Sequence, residues 1–131
     1  MPVRWYSTVV DCGDVAAQAR WWAGILDWRI VYEAPDEVVL VPPHALDENR
    51  VIPPAERGPG LVFVPVPEGK QAKNRLHVDL APAATDDQET EVARLIALGA
   101  TRVDVGQPTD ASFVVLADPE GNEFCVLSSR V

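Results

Sequence analysis

Paired cysteines, surplus basic charge and long apolar runs are all missing from this 131-residue chain. Its two cysteines, Cys12 and Cys125, stand far apart and form no CxxC or Cys/His cluster. Without a secretory leader they read as free buried thiols, not a bridge. Lys and Arg number 11 against 20 Asp and Glu, a formal net charge of −9, which disfavours nucleic acid and anionic lipid as partners. No apolar run approaches the ~20 residues needed to cross a bilayer, and residues 1–5 (MPVRW) show no signal-peptide core. The expectation is a cytoplasmic, soluble protein with no membrane partner. A Gly-rich phosphate loop, an HExxH helix and a Ser-His-Asp grouping are also absent. His44, set amid prolines, makes a poor triad member.

What is present suits a globular fold. The chain is 47% hydrophobic and 24% charged, and its length favours one domain that buries roughly two thirds of its unfolded surface. Residues 6–12 (YSTVVDC) are short and β-branched, a strand stopped by Gly13-Asp14. Asp14 is a ready N-cap for a helix to about Leu26, with Val15, Ala19, Trp22 and Leu26 on one face. Strands follow at 28–32 and 38–41, and Pro35-Asp36-Glu37 separates them. Five prolines between positions 42 and 60 predict an irregular excursion, and residues 61–66 a fourth strand.

The second half starts over. Residues 75–80 (RLHVDL) read as a strand, and residues 85–88 (TDDQ) as a Thr-x-x-Gln capping box. The helix after it carries Val92, Leu95 and Ile96 and stops at Gly99. Strands are expected at 101–105, 112–117 and 123–128, with Asp118-Pro119-Glu120-Gly121-Asn122 as a hairpin turn. The order is βαβββ twice, and VVDC before the first helix echoes HVDL before the second. One helix covers one face of each small sheet, so the halves share the other. The fold class is therefore α+β, two tandem βαβββ modules (about 4–67 and 74–129) in one domain spanning 1–131. Together they make an open curved mixed sheet with a concave inner face. Two unrelated ferredoxin-like halves are the plainer alternative.

Asp11-Cys12-Gly13-Asp14, Ala19-Arg20-Trp21-Trp22, Leu26-Asp27-Trp28, residues 73–80 (KNRLHVDL), Leu98-Gly99-Ala100-Thr101 and residues 118–125 (DPEGNEFC) occur in this order along nearly the whole chain. In this the chain resembles the vicinal oxygen chelate superfamily of glyoxalase I, extradiol dioxygenases and bleomycin-resistance proteins, in particular its glyoxalase-like, actinobacterial-type branch. The resemblance implies a cup for a small molecule and a homodimer. Metal-dependent relatives bind their ion through His, Gln or Glu on strands one, four, five and eight. The matching positions here are Ser7, His77 and Cys125, and residues 61–66 offer no donor of those kinds. One good ligand, one thiol and one weak hydroxyl fall short of the three protein donors of a catalytic site, so neither metal nor other cofactor is expected.

Expected ligand contacts are Ser7, Val9, Trp28, Phe63, His77, Asp79 and Cys125. By strand alternation Arg75, His77 and Asp79 share one face, and Leu76, Val78 and Leu80 turn toward the helix. His77, Asp79 and Cys125 are the catalytic candidates: an imidazole titrating near neutrality, a carboxylate partner and a thiol. Each also has a bland reading, His77 as a relic ligand and Cys125 as a small buried hydrophobe. Trp22 is read as core, Trp21 as a subunit contact, and Trp5 and Trp28 as cup rim or, the plainer reading, core or interface packing. Lys70, Lys73 and Arg75 are a solvated linker or a lure for an anionic ligand. Three functions stay open: metal-free binding of a small molecule, anionic or aromatic; a metal-independent enzyme using His77 with Asp79 or Cys125; and a metal-dependent lyase or dioxygenase.

Overall fold

Both halves of the chain arrive at the same strand order. The computed structural model describes residues 3–130, which are α+β with two four-stranded mixed sheets. The chain divides into two units between Gly69 and Lys70.

In the first unit β1 (Ser7–Cys12) leads into α1 (Val15–Leu26), followed by β2 (Arg29–Ala34), β3 (Glu37–Val41) and β4 (Gly60–Pro65). The sheet order is β1-β4-β3-β2, with β1 and β4 parallel and the other pairs antiparallel. The Asp14 carboxylate accepts the Ala17 N–H at 3.1 Å and starts α1. Asp27, in the left-handed region at φ 55°, ends it, and Trp28 N–H returns to Ala23 O. The buried face of α1 is Val15, Gln18, Ala19, Trp22 and Ile25. It lies on β3 and β4, where Val38, Leu40, Leu61 and Phe63 are buried. Leu26, expected on that face, sits in the final turn beside the left-handed cap and is only partly buried. The expected irregular excursion holds a 3-10 helix at Pro43–Leu46 and a short α2 at Pro54–Arg57, each with Pro in its first turn. Proline's fixed φ favours a helical start, where its missing N–H costs nothing.

The second unit contains β5 (Asp79–Leu80), α3 (Gln88–Ala97), β6 (Thr101–Arg102), β7 (Val114–Ala117) and β8 (Glu123–Val126). Its order β5-β8-β7-β6 matches that of the first unit: first strand parallel to last, the remainder antiparallel. Buried Val92 and Leu95 of α3 join Leu116, Phe124 and Val126 in the unit's core. The expected capping box does not form. Asp87 is the N-cap and accepts from the Thr90 N–H and hydroxyl at 3.0 and 2.9 Å. Gln88 instead donates to Ser112 O and Val126 O. An aspartate at the N-cap outcompetes threonine, so the helix begins two residues later than Thr85 predicts.

The strands are also shorter than expected, most of all at 75–80, where only Asp79 and Leu80 pair. Asp79 lies opposite Cys125, so Arg75 and Leu76 would have to face the 118–122 turn. That turn is closed by Asp118, whose carboxylate accepts from Glu120 and Asn122 N–H, and it offers no strand edge. Leu76 and Val78 therefore do not face the helix: they are 87% and 39% exposed. The 101–105 strand shrinks to two residues as well, because a loop set by Gln107 begins at Val103. The Gln107 side chain accepts from Val105 N–H and donates to Val103 O.

Phe63 is fully enclosed in the first unit's core. Phe63→Ala is expected to cost about 3–5 kcal/mol in urea unfolding; a cost below about 1 kcal/mol would remove it from the core.

Candidate functional site

Alternation along β8 sends Phe124 and Val126 into the core and leaves Glu123, Cys125 and Leu127 on the opposite face. Val115 of β7 is paired with Cys125 and shares that face. Together with Val105 and Phe113 they wall a cleft of about 370 Å³ within the second unit. Lys73, His77 and Asp79 form its polar side. The size is at the small end of organic-ligand pockets, and an apolar wall with few polar groups is their usual character.

The parallel pairing of Asp79 with Cys125 and the position of His77 two residues before Asp79 bring the three catalytic candidates together. His77 Nε2 lies 3.2 Å from Asp79 Oδ1, with side chains 44% and 50% exposed. At that exposure the pair orients the imidazole but adds little stability. One donor atom from each of His77, Asp79 and Cys125 lies within 4.8 Å of the others. The Cys125 thiol is pushed up from its ordinary value by burial first and by the negative charge of Asp79 second, and Lys73 offsets part of this. The thiol therefore stays protonated at neutral pH, and the geometry gives it no ready nucleophilic role.

Glu123, absent from the expected set, is the most enclosed charge of the cleft. Burial raises its carboxyl, but its own backbone N–H, Lys70 and the Asn74 N–H outweigh this and hold it below the usual carboxylate value. Its place was readable from the alternation with Cys125. The loop residues Val105, Gln107 and Phe113 left no comparable signal, because a loop has no period. Of the other expected contacts, Ser7 is partly buried on β1 and Val9 is 57% exposed two residues on. Trp28 is partly buried just past α1. Phe63, enclosed in the core, offers a ligand no surface. Trp5 is 71% exposed, and Trp22 is core, stacked edge-on to Trp21 at 5.3 Å. Both cysteines are free and buried.

Counting donors from sequence left the metal position one short; the structure supplies the third as Asp79, beside His77 and Cys125. Imidazole, carboxylate and thiol together suit a borderline-soft ion such as zinc and suit manganese poorly. Binding requires the thiol to lose the proton that burial and Asp79 help it keep. Among the described residues no helix is long and apolar enough to cross a membrane.

Residues 7–127 match the family model described as Glyoxalase-like domain. No curated protein matches the chain significantly. Among solved structures, a glyoxalase/bleomycin resistance protein/dioxygenase family enzyme from Burkholderia phytofirmans PsJN is similar at a TM-score of 0.68 and 14% identity, covering 98% of this chain and 100% of its own. The fosfomycin resistance protein FosX from Listeria monocytogenes, complexed with Mn(II) and sulfate ion, is similar at 0.70 and 11%, covering 100% and 94%. A glyoxalase-related enzyme from Fulvimarina pelagi follows at 0.62 and 16%, covering 95% and 86%. At these identities the likeness is one of fold.

Cys125 is expected to react slowly with iodoacetamide at pH 7 and faster as pH rises. Asp79→Asn removes the negative charge that disfavours the thiolate, so it should accelerate the reaction at fixed pH. Mass spectrometry of the Cys125 peptide measures this; an unchanged or slower rate contradicts the assignment.

Proposed function

Since the chain belongs to the glyoxalase-like domain family, we propose that the cleft of its second unit binds a small organic molecule with a polar end and an apolar body. One observation carries this reading: one cleft is lined by the polar side chains of His77, Asp79 and Lys73 together with the apolar Val105, Phe113, Val115 and Leu127. The apolar walls take up ligand surface that water would otherwise wet, each buried methylene contributing ~0.8 kcal/mol. The Asp79 carboxylate lies beside His77 Nε2 and holds the ring's orientation, which leaves the other ring nitrogen for the ligand. Lys73 brings a positive charge, so an anionic end, carboxylate or phosphonate, is the better fit. Lys70 is already committed to Glu123.

A second reading makes the same cleft an enzyme site of lyase or dioxygenase type, and it is favoured by the convergence of His77, Asp79 and Cys125 within 4.8 Å. Those three would hold a zinc-class ion. When bound, such an ion acts as a Lewis acid toward a substrate oxygen. Of the chain's own residues in that case, Lys73 would meet an anionic end of the substrate while Phe113 and Leu127 exclude water. The homodimer belongs to the proposal on the resemblance alone, and cytoplasmic residence on the sequence reading alone.

Saturation-transfer NMR with benzoate, phenylphosphonate and benzylamine, in buffer containing a chelator, separates these readings. Benzoate and phenylphosphonate are expected to bind and benzylamine to bind more weakly. Lys73→Met should weaken both anions about fivefold, as ~1 kcal/mol of a partly exposed charge contact implies. Leu127→Ala should weaken all three. Anion binding that appears only after zinc is added favours the metal reading, and anion binding that is unchanged in the Lys73 variant overturns the role of Lys73.

A further inference from the structure

We infer that Glu123 is the positioning residue of the cleft, clamping the segment that carries Lys73 and His77 to the start of β8. Its carboxylate Oε2 lies 3.1 Å from Lys70 Nζ and accepts the Asn74 backbone N–H at 3.2 Å. Oε1 accepts from Lys70 as well, at 3.3 Å. Lys70 Nζ also donates to Ala72 O, folding the segment back on itself. The Glu123 and Lys70 side chains are 10% and 22% exposed, the most enclosed ion pair among the described residues. Enclosing a charge costs free energy unless partners replace the lost water, and here two separate partners on one segment do so.

The segment needs such a clamp because it has no strand partner. Its first backbone bond to β8 is Cys125 N–H to Val78 O at 3.0 Å, and Arg75 and Leu76 before it face the turn. Asn74, the anchored residue, directly follows Lys73 and precedes His77 by three. Releasing it frees two of the cleft's polar groups, Lys73 and His77, and leaves the β7–β8 ladder whole. Glu123 thus acts on the ligand through Lys73 and His77. That consequence rests on the ligand-site reading above, whereas the clamp itself is measurable without ligand.

Glu123→Ala and Glu123→Gln are to be compared with the unaltered protein by amide hydrogen exchange, by the NMR signals of the His77 ring and by benzoate affinity. In Glu123→Ala, exchange over residues 73–78 should rise about tenfold while Leu116 and Phe124 stay within about twofold. The His77 ring signals should move toward those of an unstructured peptide, and benzoate affinity should fall about five- to tenfold. Glu123→Gln keeps an oxygen for the Asn74 N–H and should recover part of each effect. Should Glu123→Ala fail to fold, Lys70→Met tests the same clamp from its other side, with smaller changes of the same kind. Unmoved His77 signals, or exchange that rises equally throughout the unit, would overturn the inference. Absence of benzoate binding by the unaltered protein counts against the ligand-site reading only, and the exchange and His77 signals then still decide the clamp.

Discussion

Parallel pairing of Asp79 with Cys125 is the constraint on which the second unit's site depends. In a parallel ladder partners share a face, so this register places a carboxylate beside a thiol and brings His77, two residues earlier, to the same side. The same register explains why the strand cannot extend back to Arg75. Continued backward, it runs Arg75 and Leu76 into a turn that Asp118 closes with two accepted N–H groups. Chain that lacks a ladder must satisfy its polar groups another way, and between Lys70 and Asn74 the Glu123 carboxylate does that. A shortened strand, an enclosed ion pair and a polar cleft edge are three results of one register.

Why that cleft is apolar elsewhere follows from β7 and β8. Phe124 and Val126 fill the core, and Leu116 lies opposite Phe124. The other face of these strands is covered less completely, and Val115, Cys125 and Leu127 line the opening there. Burial on that face has an electrostatic price: the Cys125 thiol loses the water that would stabilise its anion, and the charge of Asp79 adds to the effect. A thiol so placed serves as wall or, deprotonated by an ion, as ligand, but does not attack unaided.

Much of this was legible in the sequence wherever a local signal decided the outcome. Asp14 before α1, the alternation of Glu123, Cys125 and Leu127, and the repeated VVDC and HVDL segments each carry their meaning within a few residues. The repeat announced two copies of one topology, and both sheets have the same strand order. What escaped was set by partners distant in the chain. The 75–80 strand had the right composition, but its length depended on where β8 stops. Thr85 and Gln88 had the spacing of a capping box, yet Asp87 offered the stronger acceptor and Gln88 found carbonyls at Ser112 and Val126. Asp79 was taken as a partner for His77 and left out of the donor count, because its distance to Cys125 comes from pairing and not from spacing. Loop residues such as Gln107 and Phe113 have no period by which to be found.

The central claim is that the second unit's cleft is the ligand site. An amide chemical-shift map recorded while phenylphosphonate is titrated into the isotopically labelled protein tests it most directly. Saturable shifts centred on residues 73–79, 105–115 and 123–127 are the predicted result. Shifts that saturate elsewhere in the chain and leave those three segments unmoved would contradict it.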